Sequence, residues 1–184
     1  MYKVLIVDDE QLIRSGMIAR FQYLNFTFER IREAASGMEA LALLEKEPAD
    51  IVITDIKMPD MDGMTLIREA KEKYPGTQFV VLSGYAEFEY AETAIELGVK
   101  SYLLKPISND ELKRVMRKLF ETLEKERQME AEIFRKHQLE TEQKGWLQEK
   151  AVNHLLQDNA AFLTEEEAAQ LKSTCPELWK KEKG

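Results

Sequence analysis

The sequence predicts an α/β protein built on a parallel β-sheet. Short apolar runs, typical of strands buried on both faces, alternate along the chain with amphipathic segments of helical spacing. The connections are short, and such alternation implies that successive strands lie parallel. Three of the apolar runs are followed within two residues by a charged residue. Those charges are expected at the carboxyl edge of the sheet, where open α/β sheets place their ligand crevice.

The individual elements follow from local patterns. Apolar runs bounded by turn residues predict four strands, at residues 4–7, 51–53, 79–82 and 101–104. A fifth, outer strand is expected near residues 26–34, where the hydrophobic alternation is imperfect. Apolar residues at helical spacing predict helices at residues 10–23, 37–47, 64–74 and 86–97, the last of them ended by Gly98.

Beyond Pro106 the sequence predicts one long helix. Ser108 or Asn109 is expected to cap it, and Gly145 is the first helix-stop residue that follows. A heptad-like seam is apolar in its first half and mostly polar in its second: Leu112, Met116, Leu119, Leu123, Glu126, Glu130, Ile133 and His137. The first half is therefore expected to dock on the sheet. The second half is either a solvated spacer or a weak parallel coiled coil.

The chain is expected to divide into three parts. Residues 1–120 form the α/β domain, and residues 121–145 form the connecting helix or coiled coil. Residues 146–184 form a small helical tail, with a capping box from Thr164 to Glu167 that opens a short helix. This tail is interpreted as a linker or as the incomplete start of a further domain.

Composition limits the possible functions. A net charge of −8 over 184 residues argues against nonspecific binding of nucleic acid by this chain alone. The single cysteine, Cys175, excludes an intramolecular disulfide and fits a reducing compartment. No run is long and apolar enough to span a membrane, and the N-terminus lacks a signal-peptide pattern. A cytoplasmic location without membrane association is therefore expected.

Three acids follow two of the predicted strands. Asp8 and Asp9 end the first strand, and Asp55 ends the strand at residues 51–53. If these strands are neighbours, three carboxylates converge, which is unfavourable unless a cation or proton is present. All-oxygen ligands with room for water suit Mg²⁺. The alternatives are that Asp55 only opens a turn and that Asp8 or Asp9 only caps the following helix.

Two more polar residues are expected at the same edge. Lys105 follows the strand at residues 101–104, and Pro106 stiffens the loop that aims it. Its ammonium group can pair with a carboxylate or with phosphoryl oxygens, although a surface lysine is the common alternative. Ser83 ends the strand at residues 79–82 and adds a hydroxyl donor.

Taken together, these residues resemble the motif set of two-component response-regulator receiver domains. The resemblance covers about residues 1–120 and rests on five parts in order: Asp8-Asp9, Asp55 with Met58-Pro59 and Gly63, Ser83-Gly84, Tyr102, and Lys105-Pro106. It implies a flavodoxin-like doubly wound (βα)₅ sheet with strand order 2-1-3-4-5. It also implies that Asp55 accepts a phosphoryl group from a sensor histidine kinase.

The resemblance assigns the other roles residue by residue. Asp9 would bind Mg²⁺ directly and Asp8 largely through water, and Asp55 and the backbone carbonyl of Lys57 would complete the protein ligands. Lys105 would pair with the phosphoryl group, Ser83 would move to hydrogen-bond it, and Tyr102 would swing inward. Lys57 and Tyr85 flank the pocket, and our hypothesis is that they slow hydrolysis of the acyl phosphate.

Residues 83–91, with the sequence SGYAEFEYA, resemble receivers of YesN/AraC-type regulators. In that subgroup a C-terminal DNA-binding module, which is absent from this chain, produces the output. The expected function is therefore phosphorylation-controlled transcription regulation. A homodimer would form through the fourth and fifth helices or through the long helix.

Three other classes of protein are alternatives to this interpretation. A haloacid-dehalogenase-type phosphatase also uses a nucleophilic Asp with Mg²⁺, but such enzymes have a DxD pattern, whereas Ile56-Lys57 follows Asp55 here. The chain is thus expected to catalyse only its own phosphorylation and dephosphorylation. A pseudo-receiver is disfavoured by the intact acids and Lys105. A stand-alone receiver whose coiled coil binds a partner protein remains the alternative to a transcription factor.

Overall fold

Strands and helices alternate throughout the part of the chain that the computed structural model describes, residues 1–84 and 88–159. In chain order the elements are Lys3–Val7 (β1), Gln11–Tyr23 (α1), Arg30–Ala34 (β2), Gly37–Lys46 (α2), Ile51–Asp55 (β3), Gly63–Lys73 (α3), Gln78–Ser83 (β4), Phe88–Glu96 (α4), Ser101–Leu104 (β5) and Asn109–Asn159 (α5). The predicted helix at residues 86–97 includes positions 86 and 87, which lie outside the described residues.

The five strands form one parallel sheet with the order β2-β1-β3-β4-β5. This confirms the α/β prediction and the strand order that the resemblance implies. In this order β1 lies between β2 and β3, so the chain reverses its direction across the sheet after β2. Such a reversal opens a crevice at the carboxyl ends of β1 and β3.

Each face of the sheet is covered by its own set of helices. Alternate residues of a strand point to opposite faces, so Val4 and Ile6 of β1 pack with residues of α1 and α5. Leu5 and Val7 pack on the other face with residues of α2, α3 and α4. The central strands are fully buried between these layers, which explains why they read as continuous apolar runs.

The outer strand is shorter than the sequence predicts. Strand β2 begins at Arg30 rather than near residue 26. Phe26 and Phe28 instead pack with Phe21 and Phe120 at ring-centroid distances of 4.9 to 6.1 Å. These rings gain more from mutual burial under α1 and α5 than from a place in an edge strand, which is why the alternation in this segment is imperfect.

Short-range polar contacts fix several helix ends. The hydroxyl of Ser36 accepts the Glu39 amide at the start of α2, and Asp62 accepts the Thr65 amide at the start of α3. Ser108 accepts the Glu111 amide, so of the two predicted caps of α5 it is the serine that acts. Gly98 has a φ of 62° after α4 and serves as the predicted C-terminal stop.

Helix α5 runs through Gly145 without interruption. The expected stop there was wrong, because one glycine weakens a helix interior by only about 1 kcal/mol and does not terminate it. The buried seam of α5 matches the prediction, since Leu112, Met116, Leu119 and Leu123 are all buried.

The chain separates into two units, of which the first is Met1–Glu126 and the second begins at Arg127. The capping box from Thr164 to Glu167 lies outside the described residues, and the predicted three-part division stays a prediction. Along the described part of the chain, no helix is both long and apolar enough to cross a membrane.

Candidate functional site

The three predicted acids meet at the carboxyl edge of the sheet. Strands β1 and β3 pair in a register that sets Val7 beside Thr54, so the residues that follow them emerge side by side. Each of Asp8, Asp9 and Asp55 offers a carboxylate oxygen, and these three oxygens lie within 4.8 Å of one another. Asp8 is buried, Asp55 is partly buried and Asp9 is exposed. The cluster therefore faces solvent on one side only.

Lys105 supplies the positive charge of this cluster. Its Nζ lies 2.8 Å from Oδ2 of Asp8 and 3.1 Å from Oδ2 of Asp55. The backbone of Lys105 is held by β4, because its amide donates to the Ser83 carbonyl at 2.7 Å. The surface-lysine alternative is therefore wrong for this residue, since its ammonium group bridges two carboxylates.

Asp8 has two structural partners in addition to Lys105. Its Oδ1 accepts the Glu10 amide at 2.9 Å, next to the start of α1. This contact is a local turn to the N-cap residue and does not cap α1, whose N-cap, Glu10, has no side-chain capping bond; the capping alternative is therefore wrong for Asp8. The other oxygen of Asp8 pairs with Lys105. Arg14 donates to the Asp8 carbonyl at 2.7 Å and pairs with Glu33 at 3.2 Å. Arg14 is not predictable from the sequence, because a lone arginine on a helix belongs to no local pattern.

The Asp55 carboxylate is oriented from both sides. Oδ1 accepts the Ile56 amide at 2.9 Å, and Oδ2 faces Lys105. Burial raises the pKa of Asp55, the charge and hydrogen bond of Lys105 oppose this effect, and the charge of Asp8 adds to it. The pKa of Asp55 is raised on balance, mainly because burial disfavours the charged carboxylate.

The pKa of Lys105 is raised as well. Burial alone lowers it, but the hydrogen bond to Asp8 and the charges of Asp55 and Asp8 together outweigh burial. Lys105 thus stays charged over the whole neutral range, with two carboxylates to hold it in place.

Gly63 brings α3 against the backbone of Asp55. A Cβ atom built on Gly63 would lie 2.0 Å from the Asp55 carbonyl oxygen, closer than real Cβ contacts allow. The Gly63 amide also donates to the Ile56 carbonyl at 2.9 Å. Only glycine permits this approach. The sequence marked Gly63 as part of the motif set but gave no steric reason for it.

The donor set fits a hard cation. The three carboxylates present oxygen ligands close together, and Asp9 is open to solvent, which leaves room for water. Lys57 follows β3 in the same loop and is exposed. The site is thus a candidate metal site. Tyr85, the other residue assigned to acyl-phosphate hydrolysis, lies outside the described residues.

Ser83 and Tyr102 lie on the neighbouring strands β4 and β5. Ser83 is buried at the carboxyl end of β4 and pairs in register with Leu104, one residue before Lys105. Tyr102 pairs with Val81, further from the edge, and packs on the face that carries α4. The structure thus brings Ser83 to the edge that holds the acids, and it places Tyr102 on the face of the sheet that α4 covers.

A doubly wound parallel sheet with this carboxyl-edge cluster defines the class of receiver-type signalling domains. The chain belongs to the response regulator receiver domain family, which it matches over residues 4–117. This is a signalling family rather than a typical enzyme family.

Its relatives are transcriptional regulators. The chain is 44% identical over 112 residues to the transcriptional regulatory protein YesN of Bacillus subtilis (strain 168), covering 61% of this chain and 30% of YesN. It is 36% identical over 123 residues to the transcriptional regulatory protein HptR of Staphylococcus aureus (strain NCTC 8325 / PS 47), covering 67% of this chain and 48% of HptR. The match thus spans less than half the length of either relative.

Solved structures agree with this assignment. The chain is similar to the REC domain of AraT, a response regulator from Geobacillus stearothermophilus, with 42% identity, a TM-score of 0.61, and coverage of 68% of this chain and 98% of that chain. It is also similar to a two-component transcriptional regulator AraC from Clostridium phytofermentans ISDg, with 32% identity, a TM-score of 0.62, and coverage of 68% and 97% respectively.

Proposed function

We propose that this chain is the phosphorylation-controlled part of a two-component transcription regulator. Asp55 accepts a phosphoryl group from a sensor histidine kinase, and the signal passes to a DNA-binding output domain. The observation that carries the proposal is the pairing of Lys105 with both Asp8 and Asp55 beside a third acid, Asp9. A purely structural ion pair would not need three carboxylates.

The chemistry is phosphoryl transfer to a carboxylate. An oxygen of Asp55 attacks the phosphorus of a phosphohistidine, the P–N bond breaks, and the imidazole leaves with a proton from solvent. The Ile56 amide and Lys105 hold the Asp55 carboxylate in one orientation for this attack. Lys105 also offsets the repulsion between the carboxylate and the anionic phosphoryl group.

Mg²⁺ is the proposed cofactor. The carboxylates of Asp8, Asp9 and Asp55 and the carbonyl of Lys57 would hold it, and the ion supplies positive charge toward the phosphoryl oxygens when bound. The spacing of the three carboxylates supports this ligand set.

The proposed switch uses Ser83 and Tyr102. A phosphoryl group on Asp55 adds negative charge and acceptor oxygens, which attract the Ser83 hydroxyl at the same edge. Tyr102 packs with residues of the α4 face, so its movement changes the surface of α4 and β5. Replacement Tyr102→Ala is expected to remove the response of that surface and to leave phosphorylation of Asp55 intact. Loss of phosphorylation itself would contradict this role.

Lys57 and Tyr85 are proposed to slow dephosphorylation by hindering the attacking water. Replacement Tyr85→Ala is then expected to speed loss of the phosphoryl group, measured as the decay of phosphorylated protein over time. An unchanged decay rate removes Tyr85 from this role.

The proposed output is a homodimer, formed either through α4 and α5 or through the long extension of α5. The exposed faces of α4 and α5 carry opposite charge: Glu89, Glu92 and Glu96 on α4, and Arg114, Arg117 and Lys118 on α5. Two copies related by a twofold axis can pair each acidic helix with the basic helix of the other. In favour of the second route, the extension exposes large apolar side chains, at Met129, Ile133, Phe134 and Leu139.

Light scattering tests the proposal. The solution mass is measured with Mg²⁺ alone and then with Mg²⁺ plus beryllofluoride, a mimic of the phosphoryl group, for the wild-type chain and for Asp55→Asn. A monomer that dimerises only with the mimic, and only when Asp55 is present, supports assembly as the output. A dimer that is present both with and without the mimic would mean that the extension of α5 holds the two copies together. The signal would then be a rearrangement within the dimer. An equal response in Asp55→Asn contradicts the proposal.

A further inference from the structure

A lysine of α3 contacts the carboxyl-terminal end of α4. Lys71 lies in the last turn of α3, and its Nζ donates to the Leu97 carbonyl at 2.5 Å and to the Gly98 carbonyl at 3.0 Å. The carbonyls at a helix end lack intrahelical partners and carry partial negative charge, so they attract a cation. The ammonium group of Lys71 on α3 thus provides hydrogen bonds to the carbonyls at the end of α4.

Lys71 does this without a carboxylate. Among the described residues, no acid lies within ion-pair distance of its Nζ. Its pKa is lowered, first by burial and then by the charge of Lys100. A lysine side chain without such acceptors extends its ammonium group into water. The Leu97 and Gly98 carbonyls at the end of α4 therefore hold this side chain against the protein.

Gly98 is shaped for this contact. Its φ of 62° requires the left-handed conformation, in which the amides of Gly98 and Val99 donate to the carbonyls of Ile95 and Ala94. A Cβ atom at position 98 would also lie 3.0 Å from Nζ of Lys71. The glycine therefore both closes the helix and leaves space for the ammonium group.

Helix α3 is fixed at its other end as well. It begins at Gly63, which lies against the backbone of the phosphoacceptor Asp55. One helix thus extends from the phosphorylation site to the carboxyl-terminal end of α4. The proposed switch acts at the opposite end of α4, because Ser83 precedes that helix in the chain.

We infer that Lys71 anchors the carboxyl-terminal end of α4 to α3, so that the phosphorylation-dependent movement of α4 is a rotation about this end. The inference rests on the proposed function, in which phosphorylation of Asp55 moves α4. Lys71 is a positioning residue: it touches neither the phosphoryl group nor the acids. Lys71 thereby determines which part of the α4 surface changes on phosphorylation, and this is the part that a partner would recognise.

Amide hydrogen exchange measured by NMR tests the anchor. The reporters are the amides of Leu97, Gly98 and Val99, all of which bond to carbonyls of α4. Replacement Lys71→Met keeps most of the side-chain length and removes the charge. In Mg²⁺ alone, we expect these three amides to exchange about tenfold faster in Lys71→Met, because local opening then needs less free energy. Lys71→Arg is expected to restore slow exchange.

Lys73→Met is the matched control, since Lys73 is an exposed lysine in the same turn of α3. It should leave the three amides at wild-type rates. Exchange of β1 and β3 amides reports in every variant whether the fold is intact. Wild-type rates in Lys71→Met with an intact fold would overturn the anchor.

Beryllofluoride tests the rotation. In the wild-type chain, the mimic is expected to change exchange at residues 89–93 and to leave residues 97–99 unchanged. In Lys71→Met the change should spread to residues 97–99. Equal changes at both ends of α4 in the wild-type chain would overturn the rotation. If the mimic changes no amide anywhere, the proposed function fails, while the comparison in Mg²⁺ alone still decides whether Lys71 is an anchor.

Discussion

Replacement of Gly63 by alanine is expected to separate α3 from the phosphoacceptor strand. The added Cβ would lie 2.0 Å from the Asp55 carbonyl oxygen and 3.2 Å from Cα of Ile56. Both neighbours are backbone atoms, so no side chain can rotate away to relieve the clash. The start of α3 or the end of β3 must therefore move by roughly an ångström to reach an ordinary contact distance.

The expected loss of stability is large for one methyl group. Overpacking of a core costs about 1 to 3 kcal/mol, and a clash with backbone belongs at the upper end of that range. Since m-values in urea are about 1 to 3 kcal/mol per molar, the unfolding midpoint should fall by roughly 1 to 2 M. Urea unfolding followed by far-ultraviolet circular dichroism measures this shift. Phosphorylation by acetyl phosphate, assayed on the folded variant, should also slow, because Asp55 is displaced.

Gly16→Ala is the control for the same chemical change. Gly16 lies within α1, and a Cβ there meets no atom within 4 Å. Alanine is favoured over glycine in a helix interior by up to about 1 kcal/mol, so this variant should be slightly more stable than the wild-type chain. If Gly63→Ala unfolds within about 0.5 kcal/mol of the wild-type chain, which is the range of neutral surface substitutions, the steric reasoning is refuted.

Three further predictions concern charge and capping. Lys105→Met should slow phosphorylation by acetyl phosphate about 100-fold, because the charge facing the phosphoryl group is lost; a wild-type rate would contradict its role. The pKa of Glu47 is lowered from 4.5 to about 2, first by its hydrogen bond to Lys3 and then by that to Arg30. A lowered pKa gives stability that is present above about pH 4.5 and is lost as the pH falls through about 2. In Glu47→Gln the decline of the urea midpoint across that window should therefore be shallower, and an unchanged slope would contradict the pairing. Ser36→Ala should lower stability by about 1 kcal/mol through loss of the α2 cap, and equal urea midpoints would show that the cap contributes nothing.

Much of the site was predictable because parallel strands bring their carboxyl ends to one edge. The sequence supplies charged residues at the ends of three apolar runs, and the sheet places Lys105 in contact with Asp8 and Asp55. The central strands were predictable because both of their faces are buried, which makes them continuous apolar runs in the sequence. The sequence shows that these charged residues lie at strand ends. Once the strands are known to be parallel, this is enough to predict that the residues meet at one edge of the sheet.

The missed features depend on contacts between distant segments. Arg14 reaches the Asp8 carbonyl only because α1 packs beside the edge. The clash that requires Gly63 exists only once α3 has folded back on β3. The strand expected from residue 26 begins later because Phe26 and Phe28 find partners on α1 and α5. Patterns within one segment carry no information about such partners.

Locating the phosphoryl group on the chain is the decisive test of Asp55 as the phosphoacceptor. The chain is incubated with Mg²⁺ and acetyl phosphate and then treated with hydroxylamine, which converts an acyl phosphate to a stable hydroxamate. Peptide mass spectrometry then identifies the modified residue. Asp60→Asn is the matched control, since Asp60 lies exposed in the same loop with a φ of 66° that asparagine also adopts. If Asp55 is the phosphoacceptor, hydroxamate is expected at Asp55 in the wild-type chain and in Asp60→Asn, and none is expected in Asp55→Asn. Modification of another residue, or equal modification of Asp55→Asn, would contradict this role.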